Sequence, residues 1–172
     1  SSVTSIGYSA FSGCTKLTSI VIPNSVTSIG SSAFYSCSGL TSVEIPNSVT
    51  SIGSSAFRGC SSLESITLPF VGENADGSGY TNFGYIFGAE YYSYNDYYVP
   101  SSLKTVVITS GTSIDSTAFS NCTSLMSVVI PDSVTSIGSF AFADCSSLTS
   151  IEIPDSVTSV GSSAFWGCSS LT

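Results

Sequence analysis

The sequence predicts an α/β solenoid of about seven coils of ~23 residues each, with a parallel β-sheet on the concave face and short helical turns and extended segments elsewhere. Three observations predict this fold. One unit repeats along nearly the whole chain, its apolar residues return in fixed columns, and proline or glycine follows each predicted strand or bend.

The repeat is plain in the sequence itself. Residues 23–45 read PNSVTSIGSSAFYSCSGLTSVEI, and residues 46–68 read PNSVTSIGSSAFRGCSSLESITL. A leucine column marks the period with steps of 23, 23, 40, 22, 23 and 23 residues, so one coil is much longer than the others. The members of this column are Leu17, Leu40, Leu63, Leu103, Leu125, Leu148 and Leu171.

Each unit contains one predicted strand. The segment 17–22 has the L-x-x-L-x-L form of a leucine-rich-repeat strand. Because side chains alternate along a strand, Ile20 and Ile22 point into the solenoid and Val21 points outward. Pro23 ends the strand, since proline cannot donate to the ladder.

The remainder of the unit returns the chain to the next strand. We expect Gly30 to form a bend with positive φ, which glycine tolerates, and Ala33 to allow close packing. A phenylalanine column follows and should form the strongest stacked ladder, because neighbouring coils bury it from both sides. Its members are Phe11, Phe34, Phe57, Phe119, Phe142 and Phe165.

A cysteine column recurs at the same point of the coils. Its regular spacing predicts buried free thiols, because free cysteine is among the most buried residue types and zinc-type C-x-x-C spacing is absent. The members are Cys14, Cys37, Cys60, Cys122, Cys145 and Cys168.

The recurring unit P-x-S-V-T-S-I-G-x-x-A-F-x-x-C-x-x-L-x-S-I-x-I resembles the BspA-like, or TpLRR-class, leucine-rich repeats. The resemblance covers nearly the whole chain except residues 70–99. It implies a surface or secreted protein of a mucosal bacterium or protist, with a role in adhesion and protein binding. The expected location is therefore extracellular or on the cell surface.

The sequence predicts a single leucine-rich-repeat solenoid over residues 1–172. Neither end carries a polar capping repeat, which solenoids need to stay soluble. We expect the chain to be a fragment of a longer array, and end-to-end self-association is the alternative.

Composition excludes several classes of function. The net charge is −8, with only three basic residues, so nucleic-acid binding is excluded. No apolar run is long enough for membrane insertion. The chain contains no histidine, and no nucleophile, base or metal-ligand constellation can be assembled, so we expect no enzyme activity, catalytic residue, cofactor or metal. With only 8% charged residues, the polar surface must be mostly serine and threonine hydroxyl.

The first candidate binding surface is the outward column of the strands. Its side chains share one sheet face, and the small serine column beside them leaves that face flat. The residues are Val21, Glu44, Thr67, Val107, Val129 and Glu152.

The second candidate is the long irregular coil at residues 69–108, which is rich in tyrosine. Long insertions in repeat arrays are often functional, and tyrosine offers a stiff contact area with a polar tip. We expect Phe83, Tyr85, Ile86 and Phe87 to fill the interrupted core. The residues expected to face a ligand are Tyr91, Tyr92, Tyr94, Tyr97, Tyr98, Glu90 and Asp96.

Three functions are compatible with these surfaces. The first is a non-catalytic adhesion module that binds a host or matrix-type protein. The second is a carbohydrate-binding module, in which tyrosine rings stack on sugars and Glu90 or Asp96 binds their hydroxyl groups. The third is a structural spacer without a ligand.

Overall fold

The computed structural model describes residues 2–172 and shows a parallel β-solenoid of about seven turns. The strands are short, and most of the chain between them forms turns. In chain order they are β1 (Ser5–Ile6), β2 (Ser28–Ile29), β3 (Ser42–Glu44), β4 (Ser51–Ile52), β5 (Ser65–Leu68), β6 (Thr105–Ile108), β7 (Ser113–Ile114), β8 (Ser127–Val129), β9 (Ser136–Ile137) and β10 (Ser159–Val160). Between β5 and β6 lie two 3₁₀ helices, Phe83–Phe87 and Tyr92–Tyr94, and the helix α1 (Asn95–Tyr98).

The predicted strands form a continuous parallel sheet in the order β3-β5-β6-β8. The long coil does not interrupt it, because Ser65 pairs with Thr105 in the register that the repeat requires. Bridges from Val21 to Glu44 and from Ser127 to Ser150 extend the row into the flanking coils. This sheet confirms the strand assignment made from the leucine column.

A second set of sheets lies in the T-S-I segment of each unit. It consists of two separate sheets, β1-β2-β4 and β7-β9-β10, with the long coil between them. Beyond β4, residues 73–75 replace the next strand: the Ile52 amide donates to Glu73 O at 2.9 Å, and Ser51 forms an antiparallel bridge with Asn74. The insertion therefore splits this sheet while leaving the strand-face sheet intact.

The expected role of the Gly30 column is wrong. None of Gly7, Gly30, Gly53, Gly138 and Gly161 has positive φ. A Cβ on Gly30 would instead lie 2.8 Å from the carbonyl carbon of Gly7 in the preceding coil, so glycine is required for close approach of two backbones. The sequence of a single bend does not reveal the short distance between Gly30 and Gly7, because it arises only when two coils stack.

Left-handed backbone occurs later in the unit, at two positions on either side of the phenylalanine. Ser32 and Ser36 both have φ of 56°, and equivalent residues in other coils match them. The segment is accordingly a run of turns in the regular coils. Each turn binds the next coil, as when the Phe34 amide donates to Ala56 O at 2.7 Å.

The phenylalanine ladder is stacked as predicted. Within Phe11–Phe34–Phe57 and Phe119–Phe142–Phe165, neighbouring ring centroids are 5.1–5.3 Å apart and nearly parallel. Each central ring is fully buried, whereas Phe11 and Phe165 are half-buried. The ladder thus runs through the core of both halves of the solenoid.

All six cysteines are free thiols, as predicted, but not all of them are buried: Cys14, in the first coil, is exposed, and Cys168, in the last, is half-buried. Cys37, Cys60, Cys122 and Cys145 are buried, and the thiol of Cys145 donates to Phe119 O of the preceding coil at 3.1 Å. Burial, with a smaller contribution from the neighbouring cysteine, raises the pKa of both Cys60 and Cys145 to about 12. The buried cysteines therefore pack in the core, and Cys60 and Cys145 keep their thiol protons and donate weak hydrogen bonds to the preceding coil.

Serine and threonine hydroxyls also connect the coils. Thr27 Oγ1 donates to Thr4 O at 3.1 Å, and Ser48 Oγ donates to Val26 O at 2.7 Å. Equivalent bonds recur at the same positions of later coils. Part of the hydroxyl content predicted to lie in solvent therefore links one coil to the next.

Candidate functional site

The outward column of the strands forms one straight row on the strand-face sheet. Val21 pairs with Glu44, Glu44 with Thr67, Thr67 with Val107, and Val107 with Val129. Val21 is 90% exposed and Val129 is 47% exposed. Glu152, also exposed, follows in the next coil beyond the Ser127–Ser150 bridge. The row thus presents aliphatic and acidic side chains on the sheet surface.

Shallow clefts flank this row near both of its ends. One, of about 330 Å³, is lined by Val21, Glu44 and Pro23 among others. Another, of about 320 Å³, is lined by Val129 and Glu152. They are formed where the strands end and proline turns the chain away, so they repeat with the fold.

The first half of the long coil is a hairpin that closes the edge of β4. The Glu73 amide donates to Tyr80 O at 2.7 Å, and the Tyr80 ring stacks on Tyr85 with centroids 4.8 Å apart. Burial, together with the negative charge of Glu73, raises the pKa of Tyr85 to about 12. Tyr85 therefore keeps its hydroxyl proton and belongs to the packing of the coil.

The 3₁₀ helix Phe83–Phe87 fills the gap in the core, as the sequence predicts. All five of its residues are buried. The Phe57 amide donates to Ile86 O at 2.8 Å, and the Phe83 amide donates to Ala118 O at 2.7 Å, so the segment replaces the missing turn on both sides. The Phe83 ring also meets Phe119 with centroids 5.0 Å apart.

A buried asparagine fixes the second half of the coil to this plug. Asn95 is fully buried, and its Oδ1 accepts from the Gly84 amide at 3.1 Å and from Asn82 Nδ2 at 3.4 Å. Its Nδ2 donates to Ser120 O at 2.8 Å in the following coil. Because a buried polar network is stable only when its members are paired, this network holds α1 in one position.

The tyrosines around α1 remain mostly in water. Tyr91 is 63% exposed and Tyr97 is 79% exposed, while Tyr92 and Tyr94 are also exposed. Tyr98 differs from its neighbours: it is half-buried beneath Arg58, whose guanidinium carbon lies 5.1 Å from the ring centroid. The carboxylate-bearing residues predicted beside the tyrosines, Glu90 and Asp96, are exposed.

The two predicted surfaces occupy different parts of the unit. The strand row lies in the sheet, whereas the tyrosines lie beside the turns that precede it. Only residues 99–104 separate α1 from β6 along the chain. The contact of Arg58 with Tyr98 joins the long coil to a regular coil, and the sequence analysis missed it. The sequence did hold a signal for this contact, because the residue that follows each phenylalanine is where the coils differ most.

Over residues 2–172, the structure contains no group of acidic or cysteine side chains that could hold a metal ion. No helix in the same part of the chain is long and apolar enough to cross a membrane.

The fold and its surfaces define the class of this protein as a leucine-rich-repeat solenoid. The model of the BspA-type leucine-rich repeat region matches residues 1–82 and 92–172 in six copies. The chain therefore belongs to the BspA-type leucine-rich repeat family. Repeats of this family are typically non-catalytic, protein-binding modules. A comparison with proteins of curated function gave no significant match.

Solved structures of bacterial proteins are similar to the chain. A leucine-rich cell surface protein from Faecalibacterium prausnitzii is 34% identical with a TM-score of 0.52, covering 99% of this chain and 42% of that protein. The leucine-rich repeat protein of T. pallidum is 30% identical with a TM-score of 0.59, covering 99% and 72%. One from Eubacterium ventriosum is 30% identical with a TM-score of 0.59, covering 89% and 37%. The chain thus spans about two fifths of the first and third of these proteins.

Proposed function

We propose that this chain is an adhesion module of a bacterial cell-surface or secreted protein and binds a host or matrix-type protein. The observation that carries the proposal is the exposure of the tyrosines around α1, while the phenylalanines of the same coil are buried. Exposed aromatic clusters are informative because a fold does not require them. The proposal places the contact surface on Tyr91, Tyr92, Tyr94 and Tyr97.

The anchoring of the long coil supports this proposal. The Asn95 network and the buried Phe83–Phe87 helix hold the tyrosine backbone in place before any partner arrives. A preorganised surface loses little conformational entropy on binding, so more of the contact energy appears as affinity. Tyrosine adds large, stiff contact area with only two side-chain torsions.

The strand row is the second part of the proposed surface. Its exposed aliphatic residues each lie near a carboxylate, Val21 near Glu44 and Val129 near Glu152, which suits a partner of mixed character. The cell-surface description of the F. prausnitzii relative supports an extracellular location.

The test is binding of the chain to an immobilised panel of mucosal and matrix proteins and of glycans. We expect the wild type to bind a protein and the triple variant Tyr91→Ser, Tyr92→Ser, Tyr94→Ser to bind it about tenfold or more weakly. Tyr8→Ser is the matched control, because Tyr8 is 79% exposed but lies outside the long coil. Circular dichroism checks that each variant is folded.

Each other outcome has a definite meaning. Loss of binding in a Val21→Ser, Val129→Ser variant but not in the triple variant would move the site to the strand row. Tyrosine-dependent binding to a glycan and to no protein would contradict the proposal and favour the carbohydrate-binding module. A wild type that binds nothing on the panel would favour the spacer.

A further inference from the structure

A cleft lies where the second half of the long coil meets the turns of the two preceding coils. Its volume is about 430 Å³, in the range of small-molecule and side-chain sites. It exists because the insertion projects beside regular turns, so the regular repeat alone would not form it. Its principal lining residues are Tyr35, Arg58, Asp96, Tyr97, Tyr98 and Pro100.

Arg58 gives this cleft its chemistry. It is the only arginine in a chain with 11 acidic residues and two other basic ones. Within residues 2–172 its guanidinium forms no ion pair or hydrogen bond, and Asp96 lines the same cleft without pairing with it. Among the described residues, the one partner of the guanidinium is the ring of Tyr98 beneath it, with a distance of 5.1 Å from the guanidinium carbon to the ring centroid. Its N–H donors are therefore oriented by the ring yet directed to solvent.

The fold does not determine which residue type occupies the position of Arg58. It follows the phenylalanine of its coil, and the equivalent residues of other coils range from serine to tryptophan. Because the surrounding unit is nearly identical from coil to coil, packing does not select the residue in this column. Tyr35 occupies the same column in the preceding coil and lines the cleft beside Arg58. The column is Ser12, Tyr35, Arg58, Ser120, Ala143 and Trp166.

We propose that the Arg58 cleft binds a carboxylate of a peptide segment of the partner protein. Two guanidinium N–H groups donate to the carboxylate oxygens in the bidentate geometry that arginine favours. The rings of Tyr35 and Tyr97 cover an apolar side chain beside that carboxylate. This proposal deepens the proposed function and rests on it, because that function identifies the ligand as part of a protein.

The net charge of the chain and the residues that line the cleft restrict which peptide segments can bind. With a net charge of −8, the chain repels a strongly acidic ligand, so the cleft selects a single carboxylate on an otherwise neutral or basic segment. Asp96 repels a second carboxylate and accepts an amide N–H of the bound segment. Val99 and Pro100 supply an apolar wall, which favours a peptide side chain over the hydroxyl-lined edge of a sugar acid.

The test uses N-acetylphenylalanine, which carries one carboxylate beside an apolar ring, and its amide as the matched neutral probe. Binding is followed by ¹H–¹⁵N NMR of the whole chain. We expect the acid to shift the Arg58 Nε–Hε signal and the Gly59 and Tyr97 amides saturably. The amide should bind at least about fivefold more weakly, because a charge-assisted pair is lost.

Variants separate the guanidinium from general charge. Arg58→Gln should abolish the shifts at Gly59 and Tyr97. Lys16→Gln, which removes an equal charge from an exposed residue that does not line the cleft, should preserve them. Asp96→Asn should strengthen acid binding about twofold by removing a like charge. An unchanged spectrum away from the cleft shows that each variant is folded.

Two results would overturn the proposal. One is equal binding of the acid and the amide, since the carboxylate would then be irrelevant. The other is a shift of Arg58 by glucuronic acid but not by N-acetylphenylalanine, since the ligand would then be a sugar acid. If the acid but not the amide shifts these signals, while the chain binds no protein of the panel, the carboxylate site is supported and only the adhesion function is contradicted.

Discussion

Replacing Gly53 with alanine should separate two coils that are otherwise in contact. The new Cβ would lie 2.7 Å from Ser31 Cα and closer still to the Ser31 amide nitrogen. Non-bonded carbons prefer about 3.5–4.0 Å, so the backbones must part by about 1 Å. That movement stretches the bond from the Gly53 amide to Ile29 O, now 2.8 Å. Overpacking costs about 1–3 kcal/mol and a weakened hydrogen bond about 0.5–1.5 kcal/mol, so we expect about 3 kcal/mol of lost stability.

Urea unfolding followed by circular dichroism measures this loss. Gly7→Ala is the matched control, because Gly7 has the same place in its coil and a Cβ there would meet nothing within 4 Å. Its stability should stay within about 0.5 kcal/mol of the wild type. Asp115→Ala is a second control, since Asp115 occupies the same column and already carries a Cβ. Equal losses in Gly7→Ala and Gly53→Ala would refute the close-approach explanation and restore a conformational one.

Three further predictions concern the core and the turns. In urea unfolding, Phe57→Ala should cost about 3–5 kcal/mol, and the half-buried Phe165→Ala clearly less; equal losses would contradict the stacking model. Ser36→Gly should stabilise the fold by about 1 kcal/mol and so raise the urea midpoint, because glycine removes the strain of a left-handed backbone at this position. Stability should be full below the ordinary thiol pKa of about 8.5 and fall as the pH rises toward 12, because Cys60 and Cys145 bind their protons more tightly when folded. Stability that is flat over this range, measured by unfolding at each pH, would contradict the raised pKa values.

The regular coils were predictable because stacking gives every copy of a column the same environment. Phe34 and Phe142 are buried for the same reason, so one reading of the unit applies to all copies. The same logic placed Val21 and Val129 in one exposed row. The repeat pattern did not reveal that the second sheet is split. That sheet needs a T-S-I segment in every coil, and the irregular coil has none.

The long coil was predictable only in part. Its dense aromatic residues separated correctly into the buried Phe83–Phe87 and the exposed Tyr91 and Tyr97, because alternation with serine, asparagine and aspartate marks solvent contact. The role of Asn95 could not be read in this way. An asparagine in a polar segment indicates a loop, and only the folded chain shows its side chain bonded to Gly84 and Ser120.

The hydroxyl bonds between coils have a consequence for how such arrays change in length. Each regular coil offers the next one the same row of carbonyl acceptors that it uses itself, as with Thr4 O and Thr27 O. A 23-residue unit could therefore be duplicated or deleted with both new junctions chemically complete, and copy number could drift without compensating substitutions. The coil that carries Asn95 is the exception, because residues 73–75 replace the regular strand beside β4 and the Asn82–Asn95 network has no counterpart in the regular unit. Gain and loss of units should therefore occur among the regular coils, and the tyrosine-bearing coil should be retained.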